Sequence, residues 1–206
     1  MVSMITDDKR VMTQPDIPHA EPKMGKVAVI YTTPETVIDD YARLLDLADY
    51  QTALTPNIET FLKVNISWQH YYPACSSAPW QIDGVAQKLQ ADGFDKLTAA
   101  HNGTVVVNAD EGREKNKHGV VEDRLGLKHV VLDVPPMKWI PYKPTAKMLV
   151  LDDIYKDGLY IPEVFPGTNI VQLPTVKTHV FTTMTGAMKN AFGGLLHRYR
   201  HWTHAV

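Results

Sequence analysis

Apolar residues along this chain fall into two patterns, and their alternation predicts the architecture. Short continuous runs rich in β-branched residues read as buried strands, and recurrences every three or four positions read as helices with one apolar face. Lys26–Tyr31 is a run of the first kind and predicts an opening strand. Thr33 then offers a helix cap and Pro34 a first helical position, followed by Val37, Ile38, Tyr41, Leu44, Leu45 and Ala48 at helical spacing. Thr60–Ser67 predicts a second strand. Ser77 and Pro79 open a helix whose apolar face is Ile82, Val85, Ala86 and Leu89, and Gly93 stops it.

Further along, Lys96–Ala100 predicts a strand that Thr104–Val107 extends or follows. Residues 110–118 are charged and read as solvated, and a short helix then runs to Leu125 and ends at Gly126. Lys128–Asp133 predicts another strand. Prolines 135, 136, 141 and 144 break the next segment. A β-hairpin insertion near 146–161 is expected, with arms at 146–152 and 158–161 turning at Asp157 and Gly158. Thr168–Leu173 is the last predicted strand. The last predicted helix carries Met184, Met188, Ala191, Phe192, Leu195, Tyr199 and Trp202 along one stripe.

Strands alternating with helices imply an α/β fold, a layered and mainly parallel sheet flanked by helices. Residues 1–25 are polar and contain prolines, and read as a flexible N-terminal arm before a single α/β domain over 26–206. The chain stops just after an amphipathic helix, so a domain truncated at its C-terminus is also expected.

Composition narrows the function classes. The chain has 206 residues, a formal net charge of −2, 44% hydrophobic and 21% charged residues, which is ordinary for a globular protein. The absence of a basic excess argues against nucleic-acid binding. No apolar run approaches the ~18 residues of a membrane span, and no signal-peptide pattern opens the chain. A cytoplasmic location is the expectation. The lone Cys75 supports no internal disulfide, no cysteine-ligated zinc site and no self-contained iron–sulfur cluster.

The densest chemistry lies in Leu173–Gly194, between the last strand and the last helix. Such junctions set polar side chains and free backbone N–H groups side by side, which suits an anion. Lys177 supplies a point charge and His179 a switchable donor or base, and these two are the candidate catalytic residues. Thr185 and Lys189, four apart, share a helical flank with Asn190 beside them. In open parallel sheets, ligands gather beyond the carboxyl ends of strands. That rule gathers Lys63 and Asn65 from the second strand and His101 with Asn102 after the third, and it adds Lys63, Asn65 and His101 as candidate ligand-binding residues alongside Thr185, Lys189 and Asn190. The Gly-x4-Gly-Lys-Ser/Thr order of a phosphate loop is absent.

Other groups read as structural. His197, His201 and His204 share one helical face at a metal-compatible spacing, but no carboxylate lies nearby, and an exposed row is the simpler reading. Asp152 with Asp153, and Asp110 and Glu111 with His118, read as solvated charges. No metal ligand set is assigned.

The motifs Pro174-Thr-Val-Lys-Thr-His179, Thr185-Gly-Ala-Met-Lys-Asn190 and Phe192-Gly193 resemble those of domain-of-unknown-function family 362. Lys63-Val-Asn65 stands where the family has Lys-Pro-Asn, and Leu125-Gly-Leu127 also fits. The resemblance covers roughly Lys26 to Trp202 and implies an α/β domain. It supplies a site more than an activity, since the family's reaction is not settled. Some members are fused to ferredoxin-like iron–sulfur segments, which this chain lacks.

The leading expectation is a protein that binds a small anionic metabolite or cofactor at the sheet's C-terminal edge, with histidine-mediated acid–base catalysis. The cofactor itself is not specified. Two alternatives stay open: a non-catalytic partner of a redox or iron–sulfur system, and a metal-binding protein built on the helical histidine row. The expected partners are a small anionic molecule, a redox protein or a second copy of the chain; nucleic acid and membrane are not expected.

Overall fold

The computed structural model describes residues 26–104, 107–145, 148–195 and 200. In chain order the elements are α1 (Val37–Leu47), a 3-10 turn at Tyr50–Thr52, β1 (Thr60–Val64), α2 (Pro79–Ala91), β2 (Leu97–His101), α3 (Ala109–Lys115), α4 (His118–Leu125) and β3 (Lys128–Val131). They continue with β4 (Trp139–Tyr142), α5 (Leu151–Ile154), β5 (Leu159–Pro162), β6 (Asn169–Leu173), β7 (Lys177–His179), β8 (Thr183–Thr185) and α6 (Ala187–Leu195). Four strands form one sheet in the order β3-β2-β1-β6, and every neighbouring pair is parallel. Two antiparallel pairs, β4 with β5 and β7 with β8, stand apart from it. The fold is α/β, as the alternating pattern implied.

All five residues of β1 are buried, as a central parallel strand requires. Its side chains alternate between two cores. Leu62 and Val64 join Ile82, Val85, Ala86 and Leu89 of α2, with Leu97, Val121 and Leu173, in the larger core. Phe61 faces the other way, into a smaller core with Ala100, Leu132 and Phe165, where the Phe61 and Phe165 rings meet edge to face at 5.3 Å. Lys63 shares that second face, which α6 covers at its carboxyl end.

Several sequence expectations are corrected. Lys26–Tyr31 joins no strand, and Val27, Val29 and Tyr31 are exposed; β-branched residues gain from a strand only when a sheet edge receives them. α1 begins at Val37 behind Thr36, and α2 behind Ala78, because Ser77 spends its hydroxyl on the Leu173 carbonyl. The charged 110–118 segment forms α3 and the start of α4, with Asn108 accepting from the Glu111 N–H as the α3 cap. His118 is fully buried rather than solvated.

The hairpin arms are also elsewhere than expected. Trp139–Tyr142 pairs with Leu159–Pro162, and α5 occupies part of the intervening chain; residues 146 and 147 lie outside the described set. Pro141 is tolerated in β4 because this two-stranded pair leaves each strand an open edge. Thr104 and Val107 lie outside any strand, and 105–106 are not described. The last helix does not begin at Met184, which sits in β8, and Met188 is 88% exposed. α6 instead turns Asn190 and Gly194, one helical turn apart, toward the sheet.

One close approach fixes how α1 lies on α2. A Cβ added at Gly84 would stand 2.7 Å from Tyr41 Cβ and 3.0 Å from the Ile38 carbonyl oxygen. Intrinsic helix preference alone would make alanine better by about 1 kcal/mol. Overpacking of this kind costs about 1–3 kcal/mol, so Gly84→Ala is expected to lower the midpoint in thermal unfolding by several degrees. A raised midpoint would show that the two helices separate freely.

Candidate functional site

The chain runs from β1 to β2 and β3 on one side, while β6 lies on the other side of β1. The crevice at the carboxyl ends of β1 and β6 is therefore the point where strand order reverses, the usual ligand position in such sheets. A small cavity of about 90 Å³ opens there, lined in part by Lys63, Asn102, Thr185, Lys189, Asn190 and Arg200.

Lys63 is 3% exposed, with its Nζ donating to the Val64 carbonyl at 3.0 Å and to Asn190 Oδ1 at 3.4 Å. Asn190 Nδ2 donates in turn to the Lys63 carbonyl and to Gln172 Oε1, each at 2.8 Å. One side chain of α6 thus bonds both β1 and β6. Gly194 makes that approach feasible, since a Cβ there would lie 2.6 Å from Lys63 Cε. Burial depresses the Lys63 pKa to about 7; the Arg200 charge lowers it further and Asp133 opposes the fall.

Two more cations border the cavity. Burial lowers the Lys189 pKa, as do the charges of Lys177 and Arg200. Arg200 donates to the Gly103 carbonyl at 2.8 Å and lies 3.5 Å from Asp133 Oδ2, while Asp133 Oδ1 accepts from the Gly103 N–H at 2.8 Å. Among these groups sit three buried polar atoms without a hydrogen-bond partner: Asn102 Oδ1, Asn102 Nδ2 and Thr185 Oγ1. Leaving such atoms unpaired costs about 1–3 kcal/mol each, so they mark a place arranged for something else.

The structure brings Lys63, Asn65, Thr185, Lys189 and Asn190 to one cavity. Lys177 lies opposite Thr185 in the β7–β8 pair, close enough for its charge to act on Lys189. His179 sits at the other end of that pair, where its Nδ1 accepts from the Phe181 and Thr182 N–H groups at 3.2 and 3.3 Å and so shapes the turn. His101 is not in the cavity. Lys63 pairs with Ala100, so His101, one residue further on, projects from the opposite face of the sheet. It meets Glu122 Oε1 there at 3.1 Å.

Arg200, and the Gly103 backbone that it shares with Asp133, were not singled out by the sequence, whereas Asn102 was named beside His101. The parity of β2 would have selected Asn102 over His101 had its register with β1 been known. His197, His201 and His204 fall outside the described residues. A larger cleft of about 450 Å³ lies at the start of α2, with Tyr41, Tyr72, Ser76, Trp80 and Thr175 on its walls. Its serine hydroxyls are committed to backbone partners and no cation among the described residues lines it, so it suits anion chemistry less well.

The model of a family described as a domain of unknown function (DUF362) matches residues 60–206. No curated protein and no solved structure matches the chain. No described helix is long and apolar enough to cross a membrane.

The depressed Lys63 pKa has a stability consequence with a definite sign. The unfolded chain holds this proton up to pH ~10.4, whereas the folded one loses it near 7. The burial penalty is therefore complete below about pH 7 and is relieved as pH rises from there toward the unfolded value. Relative to Lys63→Met, the native protein should gain stability steadily between pH 7 and 10, measured by denaturant unfolding. A pH-independent difference would place the ordinary amine pKa in the folded state.

Proposed function

Taking as premise that this chain belongs to the DUF362 family, we propose that it binds a small anionic metabolite or cofactor in the cavity between β1, β6 and α6. Lys189 and Arg200 supply the positive field, with Lys177 near its rim. Asn102 and Thr185 supply neutral donors at fixed positions. The carrying observation is the coincidence of cations with the unpartnered atoms of Asn102 and Thr185 in one buried hollow. A carboxylate or phosphate oxygen accepts from Asn102 Nδ2 and Thr185 Oγ1 together, and charge-assisted bonds of this sort are the stronger ones.

Lys63 gives the site its acid–base group. An amine that exchanges its proton near neutrality both donates to and accepts from a bound molecule without a large energetic penalty. This assigns proton transfer to Lys63 in preference to His179, whose Nδ1 is engaged by the backbone of its own turn. Asn190 then acts as the positioning residue for the amine. The net field stays modest because Asp133 faces Arg200.

Thr185→Val separates binding from structure. It keeps the β-branched shape in β8 while removing a buried hydroxyl that has no partner. The variant is expected to unfold at the same or a higher temperature than the native protein. The thermal protection given by inorganic phosphate or a short carboxylate should weaken roughly ten- to a hundredfold in apparent affinity, in line with ~1.5–3 kcal/mol for a bond to a charged group. Lys189→Met should weaken it by at least as much. Equal protection of native and both variants would place the anion elsewhere.

A further inference from the structure

On the helix side of β2, three buried ionisable side chains meet outside the anion cavity. His118 and Glu122 stand one turn apart on α4, so both project from the same flank. His101, the last residue of β2, projects back toward them. Each is 1% exposed or less, and one potential ligand atom from each lies within 4.8 Å of those of the other two.

The hydrogen bonds fix the state of these rings. His118 Nε2 is 2.7 Å from the Ser77 carbonyl oxygen, which can only accept, so Nε2 carries the proton and Nδ1 a lone pair. That Nδ1 has no partner, and neither does His101 Nδ1. His101 Nε2 lies 3.1 Å from Glu122 Oε1, while Arg113 Nε holds Oε2 at 2.5 Å. Arg113 thereby turns a single carboxylate oxygen toward the histidines. Burial lowers the pKa of both rings, against the opposing pull of Glu122, which is the direction that favours the neutral imidazole.

We propose that His101, His118 and Glu122 form a binding site for a divalent transition-metal ion of the zinc class. Two imidazoles and one carboxylate are a zinc donor set that leaves a fourth position open. Hard cations such as magnesium or calcium would look for oxygen donors in greater number. The Ser77 carbonyl orients His118 through the ring nitrogen not used for ligation, as outer-sphere partners do in metal sites. The 3.1 Å between His101 Nε2 and Glu122 Oε1 is near the ~3.4 Å span of two ligands in a tetrahedron with bonds of ~2.1 Å. The ion takes the place of the proton between those two atoms, and His101 shifts to its other neutral tautomer, with that proton on Nδ1. His118 supplies its lone pair at Nδ1.

The test uses untagged protein in which the three tail histidines are replaced (His197→Gln, His201→Gln, His204→Gln), because they offer competing imidazoles. After treatment with a chelator, cobalt(II) is added and followed by its visible d–d absorption, with zinc measured by elemental analysis. The expected result is one tightly held equivalent, lost when either His118→Gln or Glu122→Gln is added. No uptake by the tail-substituted protein would overturn the proposal, which then leaves an ordered water as the partner of the two Nδ1 atoms. Uptake unchanged by both buried substitutions would overturn it too. The first arm leaves the buried residues intact, so a buried variant that fails to fold does not shelter the idea.

Discussion

The contact between Lys63 and Asn190 is the constraint on which the rest of the second sheet face depends. An ammonium group at the end of a fully buried parallel strand is costly to desolvate, and α6 meets that cost with one asparagine that both accepts from the lysine and donates to its carbonyl. Gly194 allows the helix close enough for this to happen. Because α6 is held there, Lys189 reaches the hollow that Thr185 of β8 also lines, and the Lys63 amine is left near neutrality in its proton affinity. Packing, charge and chemistry at this site follow from one side-chain pair.

The two faces of β1 and β2 carry different kinds of chemistry, and strand periodicity keeps them apart. Lys63, Ala100 and Asn102 look toward α6. Leu62, Val64 and His101 look toward the helical layer. A shift of one residue in the pairing would exchange these sets. The cationic hollow and the buried histidine cluster therefore lie close together yet have no ligand in common. Arg113 and Glu122 neutralise one side, while the three cations around the cavity have Asp133 as an acidic neighbour.

Much of this was legible in the chain, for physical reasons that can be named. Helix and parallel-strand patterns located β2, β6, α2 and the end of α4 to within a few residues, because each is an apolar repeat bounded by proline, glycine or charge. The dense polar stretch after β6 pointed to Lys189, Asn190 and Thr185, which the structure does gather. Lys26–Tyr31 misled because a run of β-branched residues says nothing about whether a sheet edge awaits it. His101 misled because register is a tertiary property: sequence placed it near the strand end but could not say which face it took. His118 looked solvated among charges, yet a helix that begins at that residue turns it inward toward Glu122's partner on β2.

The proton affinity of Lys63 reports most directly on how β1 and α6 meet. Selective isotope labelling of lysine, with NMR titration of the side-chain signal assigned through Lys63→Met, reads it in the intact protein. A midpoint near pH 7 is expected in the free protein, moving upward when phosphate is added, because a bound anion favours the charged amine. A midpoint near the ordinary lysine value of ~10.4, unmoved by any small anion, would contradict it.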